Sequence, residues 1–298
     1  AEPDNVEYEN GGSDVSFPHH LPGAGELREQ LDNYPQMDSL TLAFALEGAR
    51  VLKLGRRSKP DLLLVSLSAT DAVGHRYGPD SREIHDQVLR VDRWLGRFLD
   101  SLATQVPRAR TMVVLTADHG VQSFPEATGK GRVWWGDLAG DGQDFGSGLL
   151  SADTAAMRAK GLRVDSVAQA LAVVAAIRPG VARVFTPATL AAAAPGDTAA
   201  TLWRNTIPPG YGWLIAGVLE PGFVWSPADV RSAEHGSTAP EDVTVPIAFV
   251  GPGIGHMVVH RPVRTVDIAP TLAALLGVRP EGRLDGEPLA EVVGGRYQ

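Results

Sequence analysis

Cysteine is absent from this chain. No disulfide can form, so the redox compartment is not readable from the sequence, and any bound metal must be held by His, Asp or Glu rather than by thiolate. No run of 18 apolar residues occurs, which excludes a membrane-spanning helix of the usual kind. Positive charge is not in excess: 27 Lys+Arg stand against 35 Asp+Glu, a net charge of −8, with no basic stripe. A nucleic-acid polymer tracked through its phosphates is therefore not the expected partner. A small anionic substrate stays compatible, because a bound metal inverts the local field. The chain opens Ala1-Glu2-Pro3, without an initiator Met or a signal peptide, and reads as a mature exported protein or as a portion of something longer. What is present is ordinary: 298 residues, 44% hydrophobic and 21% charged, a soluble globular composition and a length that suits one large α/β domain or a core with a smaller insertion.

Along the chain, residues 1–25 are rich in Gly and Pro and read as irregular. Apolar spacing predicts helix from Leu27 to Leu54, broken near Asn33-Tyr34-Pro35. The continuous apolar run Asp61–Leu67 reads as a buried parallel strand. Ser81 is placed to N-cap a long amphipathic helix reaching about Leu102, with Ile84, Val88, Val91, Leu95 and Leu99 on one face. Thr111–Thr116 reads as a second buried strand, which makes strand, helix and strand a βαβ unit. From about Leu150 to Trp225 the composition shifts to an Ala-rich α+β stretch. Its expected elements are a helix at Ser166–Ile177, a strand at Ala182–Thr186, a short helix at Pro187–Ala194 and a strand at Tyr211–Leu219. Val243–Val250 reads as a third buried strand, and Asp267–Gly277 as a helix closed by glycine.

Three short motifs carry the chemistry. Asp71 and His75 lie in Thr70-Asp71-Ala72-Val73-Gly74-His75, Asp118 and His119 precede Gly120, and His235 precedes Gly236; each is expected in a short loop beside a glycine. Two of the motifs follow predicted strands, and open α/β sheets bind ligands beyond the carboxyl ends of their strands. Two carboxylates and three imidazoles are zinc ligands. Five of them suit two zinc ions better than one, and two zinc ions about 4 Å apart can clamp the attacking and leaving oxygens of a phosphoryl or sulfuryl transfer.

The ordered set Thr70-Asp71-x-x-Gly74-His75-x-x-Gly78-Pro79-x-Ser81, Thr116-Ala117-Asp118-His119-Gly120, His235-Gly236-Ser237 before Val245-Pro246, and Val266-Asp267-Ile268-Ala269-Pro270-Thr271-Leu272 resembles the alkaline phosphatase superfamily. The likeness is to its type I phosphodiesterase/nucleotide pyrophosphatase branch and to the related single-chain zinc alkaline phosphatases. It covers roughly residues 25–145 and 225–290. The resemblance implies an α/β, three-layer alkaline-phosphatase-like sandwich, of which this chain is the C-terminal part. Core segments 1–149 and 226–298 then flank an inserted α+β subdomain at 150–225. It implies that Asp71, His75 and His235 hold one zinc and that Asp118 and His119 contribute to a second. In the family the second site is completed by an Asp from the first core strand and by a Thr or Ser nucleophile at a helix start. Neither Asp4, Asp14 and Asp32 nor Ser13, Ser16 and Ser39 has that context, so the catalytic nucleophile is not identified in this chain.

The implied activity is zinc-dependent hydrolysis of small phosphate esters by an intact enzyme with two Zn²⁺, the chain alone turning over little or nothing. The alternatives are a non-catalytic metal-binding remnant or interaction module of the same fold, or a sulfatase or phosphomutase relative. An N-terminal half on a separate chain, or a homo-oligomer, would complete the protein, and the resemblance suggests the periplasm or the cell exterior. Other residues weigh less. His19-His20 reads as a solvated loop pair rather than a metal site. Asp137, Asp141 and Asp144 lack the spacing and terminal Glu of a calcium-binding EF-hand. Trp134-Trp135 reads as subdomain packing, and Ser237 and Thr238 as hydrogen-bond supports of the ligand before them.

Overall fold

Most of the expected elements in the middle of the chain form, and the strongest of them owe it to tryptophan packing. The structure, a computed structural model, describes residues 2–20, 23–25, 31–139, 143–144 and 148–294. It mixes helix and sheet, as an α/β fold requires, and divides into two compact units, one of residues 1–30, 70–87 and 119–244 and one of residues 31–69, 88–118 and 245–298.

The first unit holds a four-stranded antiparallel sheet in the order Gln143–Asp144, Leu149–Ser151, Trp213–Leu219, Val181–Phe185. Trp213–Leu219 is a central strand with a near-continuous apolar run, and its first five residues are buried. On one side Ile215 packs with Leu150, Trp135 and Trp225, the two indoles meeting edge-on at 4.7 Å. A second cluster gathers Trp203, Trp213, Phe185 and Leu190, with the Trp203 Nε1–H donating to the Gly217 carbonyl at 3.1 Å. Helix Val164–Ala176 covers the sheet through Val164, Ala168 and Ala175. Trp135 is thus core, as expected, and Asp137 engages Arg178 through two hydrogen bonds of 2.8 and 2.6 Å. Asp141 and the side chain of Asp144 lie outside the described residues.

Asp197 ends the loop that leads into helix Thr198–Thr206. Its carboxylate accepts from Ala200 N at 3.0 Å, an N-cap, and from both terminal nitrogens of Arg183 at 2.7 Å. The Arg183 hydrogen bonds, followed by the cap bond, hold its pKa down from 3.8 to about 2. A depressed carboxylate stabilises the fold above its unfolded pKa and ceases to do so as pH falls through the folded value. The denaturation midpoint is therefore expected to fall between pH 4 and pH 2 with a component that Asp197→Asn removes. Urea titrations of both proteins across that range check this, and identical pH slopes would refute it.

The second unit departs from the sequence reading. Val113–Thr116 and Ile247–Val250 form strands, but they pair with each other antiparallel, Val113 opposite Val250 and Thr116 opposite Ile247. Neither is fully buried, Leu115 being 50% exposed. The run Asp61–Leu67, expected as a buried parallel strand, is not a strand, and Leu62 and Leu64 are 63% and 82% exposed. An isolated segment gains no ladder hydrogen bonds, and its apolar residues alone do not make it a strand. The βαβ unit therefore does not form among the described residues. Asp61 anchors the segment, its carboxylate accepting from Gly55 N at 2.8 Å and from Arg57. Leu62, Leu63, Val65 and Leu67 line an apolar pocket of about 300 Å³ with Val91, Leu95, Leu99 and Val113. Helix Gln36–Val51 and helix Ile268–Leu276, the latter closed by Gly277 at φ 66°, match their predicted positions; residues 26–30, at the start of the expected first helix, lie outside the described residues. Among the described residues no helix is long and apolar enough to cross a membrane.

Candidate metal centre

All the residues that assemble the centre, other than Asp118, belong to the first unit. Asp71 and His75 do not sit in a loop as the sequence suggested. They lie one turn apart on helix Ala69–Tyr77, where positions i and i+4 share a face. The helix is short and contains Gly74, a poor helix former, so its periodicity gives no signal. It forms because both ends are held. Ala69 N donates to the buried Asp38 carboxylate at 3.0 Å, and Gly78, at φ 86°, bonds back to the Gly74 carbonyl at 2.7 Å. The following helix, Arg82–Gln105, is capped as expected, Ile84 N donating to Ser81 Oγ at 3.2 Å.

His235 reaches this helix from 160 residues away. A reciprocal clamp fixes the approach: Ala233 N donates to the His75 carbonyl at 2.8 Å, and His75 Nδ1–H donates to the Ala233 carbonyl at 2.6 Å. Glu234 Oε2 stands 3.8 Å from the same Nδ1. Gly236, at φ 93°, turns the chain immediately after His235. His119 stacks on His235 with ring centroids 3.5 Å apart, and its Nδ1–H donates to the Gly120 carbonyl at 2.9 Å.

The result is a convergent donor set. His75 Nε2 and His235 Nε2 are 3.1 Å apart, both are 3.6 Å from Asp71 Oδ1, and His119 Nε2 is 4.0 Å from that oxygen. The ligand atoms of Asp71, His119 and His235 all fall within 4.8 Å of one another. The carbonyls that take the Nδ1 protons of His75 and His119 leave both Nε2 atoms as lone-pair donors turned toward Asp71. Burial, then the His119 and His75 imidazoles, pushes the His235 pKa down against the pull of Asp71 and Asp242, which favours the neutral, metal-binding ring. Three imidazole nitrogens and a carboxylate oxygen fit zinc. Asp118, the peptide neighbour of His119, is the last residue of a stretch assigned to the other unit.

One supporting residue has no signature in the sequence. Asp242, 2% exposed at the short helix Pro240–Val243, accepts through Oδ2 from Ser237 N at 2.8 Å and from Gln122 Nε2 at 3.1 Å. Its carbonyl takes Gly120 N at 2.8 Å, and Gln122 N donates to the Glu234 carbonyl at 3.0 Å. One buried carboxylate thereby ties the turn after His119 to the turn after His235. Ser237 joins in as expected, its Oγ accepting from Ala239 N at 2.9 Å.

A family model described as type I phosphodiesterase / nucleotide pyrophosphatase matches residues 7–190, a span that contains Asp71, His75, Asp118 and His119. Alkaline phosphatase PhoK of Sphingomonas sp is 33% identical over 91% of this chain and 55% of its own length. Alkaline phosphatase PafA of Elizabethkingia meningoseptica is 27% identical over 98% of this chain and 57% of its own. The crystal structure of wild-type PafA superposes with a TM-score of 0.85 at 24% identity, covering 99% of this chain and 60% of that one. The chain spans about half the length of the curated relatives it matches.

Proposed function

The chain belongs to the type I phosphodiesterase/nucleotide pyrophosphatase family of the alkaline phosphatase superfamily, and from that premise we propose that it supplies zinc ligands to a phosphate-ester hydrolase. The observation that carries the proposal is the convergence of three Nε2 atoms and Asp71 Oδ1 at 3.1–4.0 Å. Asp71, His75 and His235 are read as one ligand set, with Asp118 and His119 contributing to a second. The intact enzyme then holds two zinc ions, and residues 150–225 are an insertion in its core. Bound zinc supplies a Lewis acid for the phosphoryl oxygens and offsets their charge.

The chain's own groups do the rest. Asp71 balances the positive charge. The Ala233 and Gly120 carbonyls keep the protons of His75 and His119 on Nδ1, away from the ligand face. The Asp242 bonds hold the two histidine-bearing turns in register. The substrate is a small phosphate ester. The nucleophilic hydroxyl is proposed to come from polypeptide outside these 298 residues, a reading supported by the length of the relatives.

Zinc titration by calorimetry, followed by a p-nitrophenyl phosphate assay, tests both parts. Tight zinc at a stoichiometry near one, with little or no turnover, is expected. No zinc at saturating concentration would favour a non-catalytic remnant of the fold. Robust zinc-dependent turnover by the pure chain would overturn the external nucleophile.

A further inference from the structure

Three carboxylates outside the histidine centre meet near the start of helix Arg82–Gln105. Asp4, Glu9 and Glu83 each offer an oxygen, and these oxygens all lie within 4.8 Å of one another. Like charges at that separation repel, and burial deepens the cost. Glu83 is only 7% exposed, and among the described residues its Oε2 has no hydrogen-bond partner; neither has the buried Asp4 Oδ2. Buried polar atoms are nearly always satisfied, so two unpartnered oxygens in a cluster of three carboxylates leave room for a cation to complete them. Among the described residues, no positive group hydrogen-bonds these two oxygens. Arg82 Nε stands 3.9 Å from Asp4 Oδ1, and His19 Nε2 takes the other Glu83 oxygen at 2.7 Å. Glu9 registers the strain: burial, then Glu83 and Asp4, pushes its pKa up from 4.5 to about 7.

We propose that Asp4, Glu9 and Glu83 form a second cation site, distinct from the histidine centre, that binds Ca²⁺. All three ligands are carboxylate oxygens, the donors of hard cations, and among the described residues no nitrogen joins the group to favour zinc. No two of the oxygens are further apart than opposite ligands of calcium, whose Ca–O distance of about 2.3–2.6 Å gives a span of about 4.6–5.2 Å. Asp4 and Glu9 come from a segment whose regular structure is only a 3-10 turn, Glu9–Gly12, and a two-residue strand, Ser16–Phe17, and carboxylates so placed suit the loose geometry of calcium better than the strict octahedron of magnesium. His19 is the outer support. It is held by Glu83 on one nitrogen, faces Asp14 at 3.0 Å on the other, and stacks on Tyr77 at 4.9 Å. It is therefore not the solvated loop residue the sequence suggested. Since Glu83 lies on helix Arg82–Gln105, the cation fastens the 4–19 segment to that helix, while the stacking of His19 ties the same segment to Tyr77.

Calorimetric titration of Ca²⁺ into the full chain, with zinc held constant, is expected to show one site. Glu9→Gln and Glu83→Gln should each weaken it at least tenfold, and His235→Ala should leave it unchanged. Glu9→Gln, at a partly exposed residue, keeps the test valid if the Glu83 variant fails to fold. Calcium should also slow backbone amide exchange across residues 4–19. No calcium heat, calcium binding unaltered in Glu9→Gln, binding lost with His235→Ala, or magnesium binding tighter than calcium would each overturn the proposal.

Discussion

Substituting His235 by alanine will lower zinc affinity by at least about 100-fold. Loss of a group that merely orients a zinc ligand costs about 10–100-fold, and His235 is itself a central donor. Its Nε2 is 3.1 Å from that of His75, its ring stacks on His119, and it stands 3.6 Å from Asp71 Oδ1. Asp71 Oδ1 likewise stands within 4.0 Å of all three imidazoles. Asp71→Asn should act in the same direction but less strongly, because an amide oxygen still coordinates while the balancing charge is gone. Zinc titration of the three proteins, with circular dichroism to verify folding, gives the ranking. Equal zinc affinity in wild type and His235→Ala would remove the histidine centre from consideration.

Gly120→Ala is expected to destabilise the first unit by more than about 3 kcal/mol, the upper range for overpacking a well-packed site. A Cβ at this position would stand 2.0 Å from the Glu241 carbonyl oxygen and 3.1 Å from its carbon. The obstacle is backbone, so it cannot rotate away. Glu241 also precedes Asp242, whose carbonyl receives Gly120 N, so yielding there breaks the bond that holds the two turns together. Zinc affinity should fall along with the urea midpoint, since the Gly120 carbonyl holds the His119 proton. Gly129→Ala, at a glycine with no atom within 4 Å of its Cβ position, is a control for the change of residue type, though its φ of 67° brings some strain of its own. A Gly120→Ala protein with an unchanged midpoint would show that the contact relaxes without cost.

The sequence was most legible where one physical signal dominated. Tyr211–Leu219 was expected as a strand and Trp213–Leu219 is one, because a long apolar run between two turns has a single way to be buried on both faces. The helices at Val164–Ala176 and Pro187–Ala192 fell within a few residues of expectation for the same reason, amphipathic spacing or a Thr-Pro start. Asp61–Leu67 misled because an apolar run states a need for burial and not the means of meeting it. A strand is a property of two segments, and composition describes only one. The candidate ligand residues stand out in the sequence because Asp-His-Gly and its companions are rare in this order. Their shared geometry was not, since neither the helix that carries Asp71 and His75 nor the buried Asp242 has any periodicity to betray it. His19 gives no sequence signal for a related reason: its partners, Glu83 and Asp14, are brought to it only by the fold.

The His75–Ala233 clamp joins residues 158 positions apart, and this separation has a kinetic meaning. Asp71 and His75 are neighbours as soon as one helical turn forms, but His235 joins them only after the long intervening chain has closed its loop. Closure of this kind is entropically expensive and slow compared with local helix formation. Zinc that favours the complete ligand set therefore acts mainly on the folded side of the barrier. It should prolong the lifetime of the native chain by slowing unfolding far more than it hastens folding.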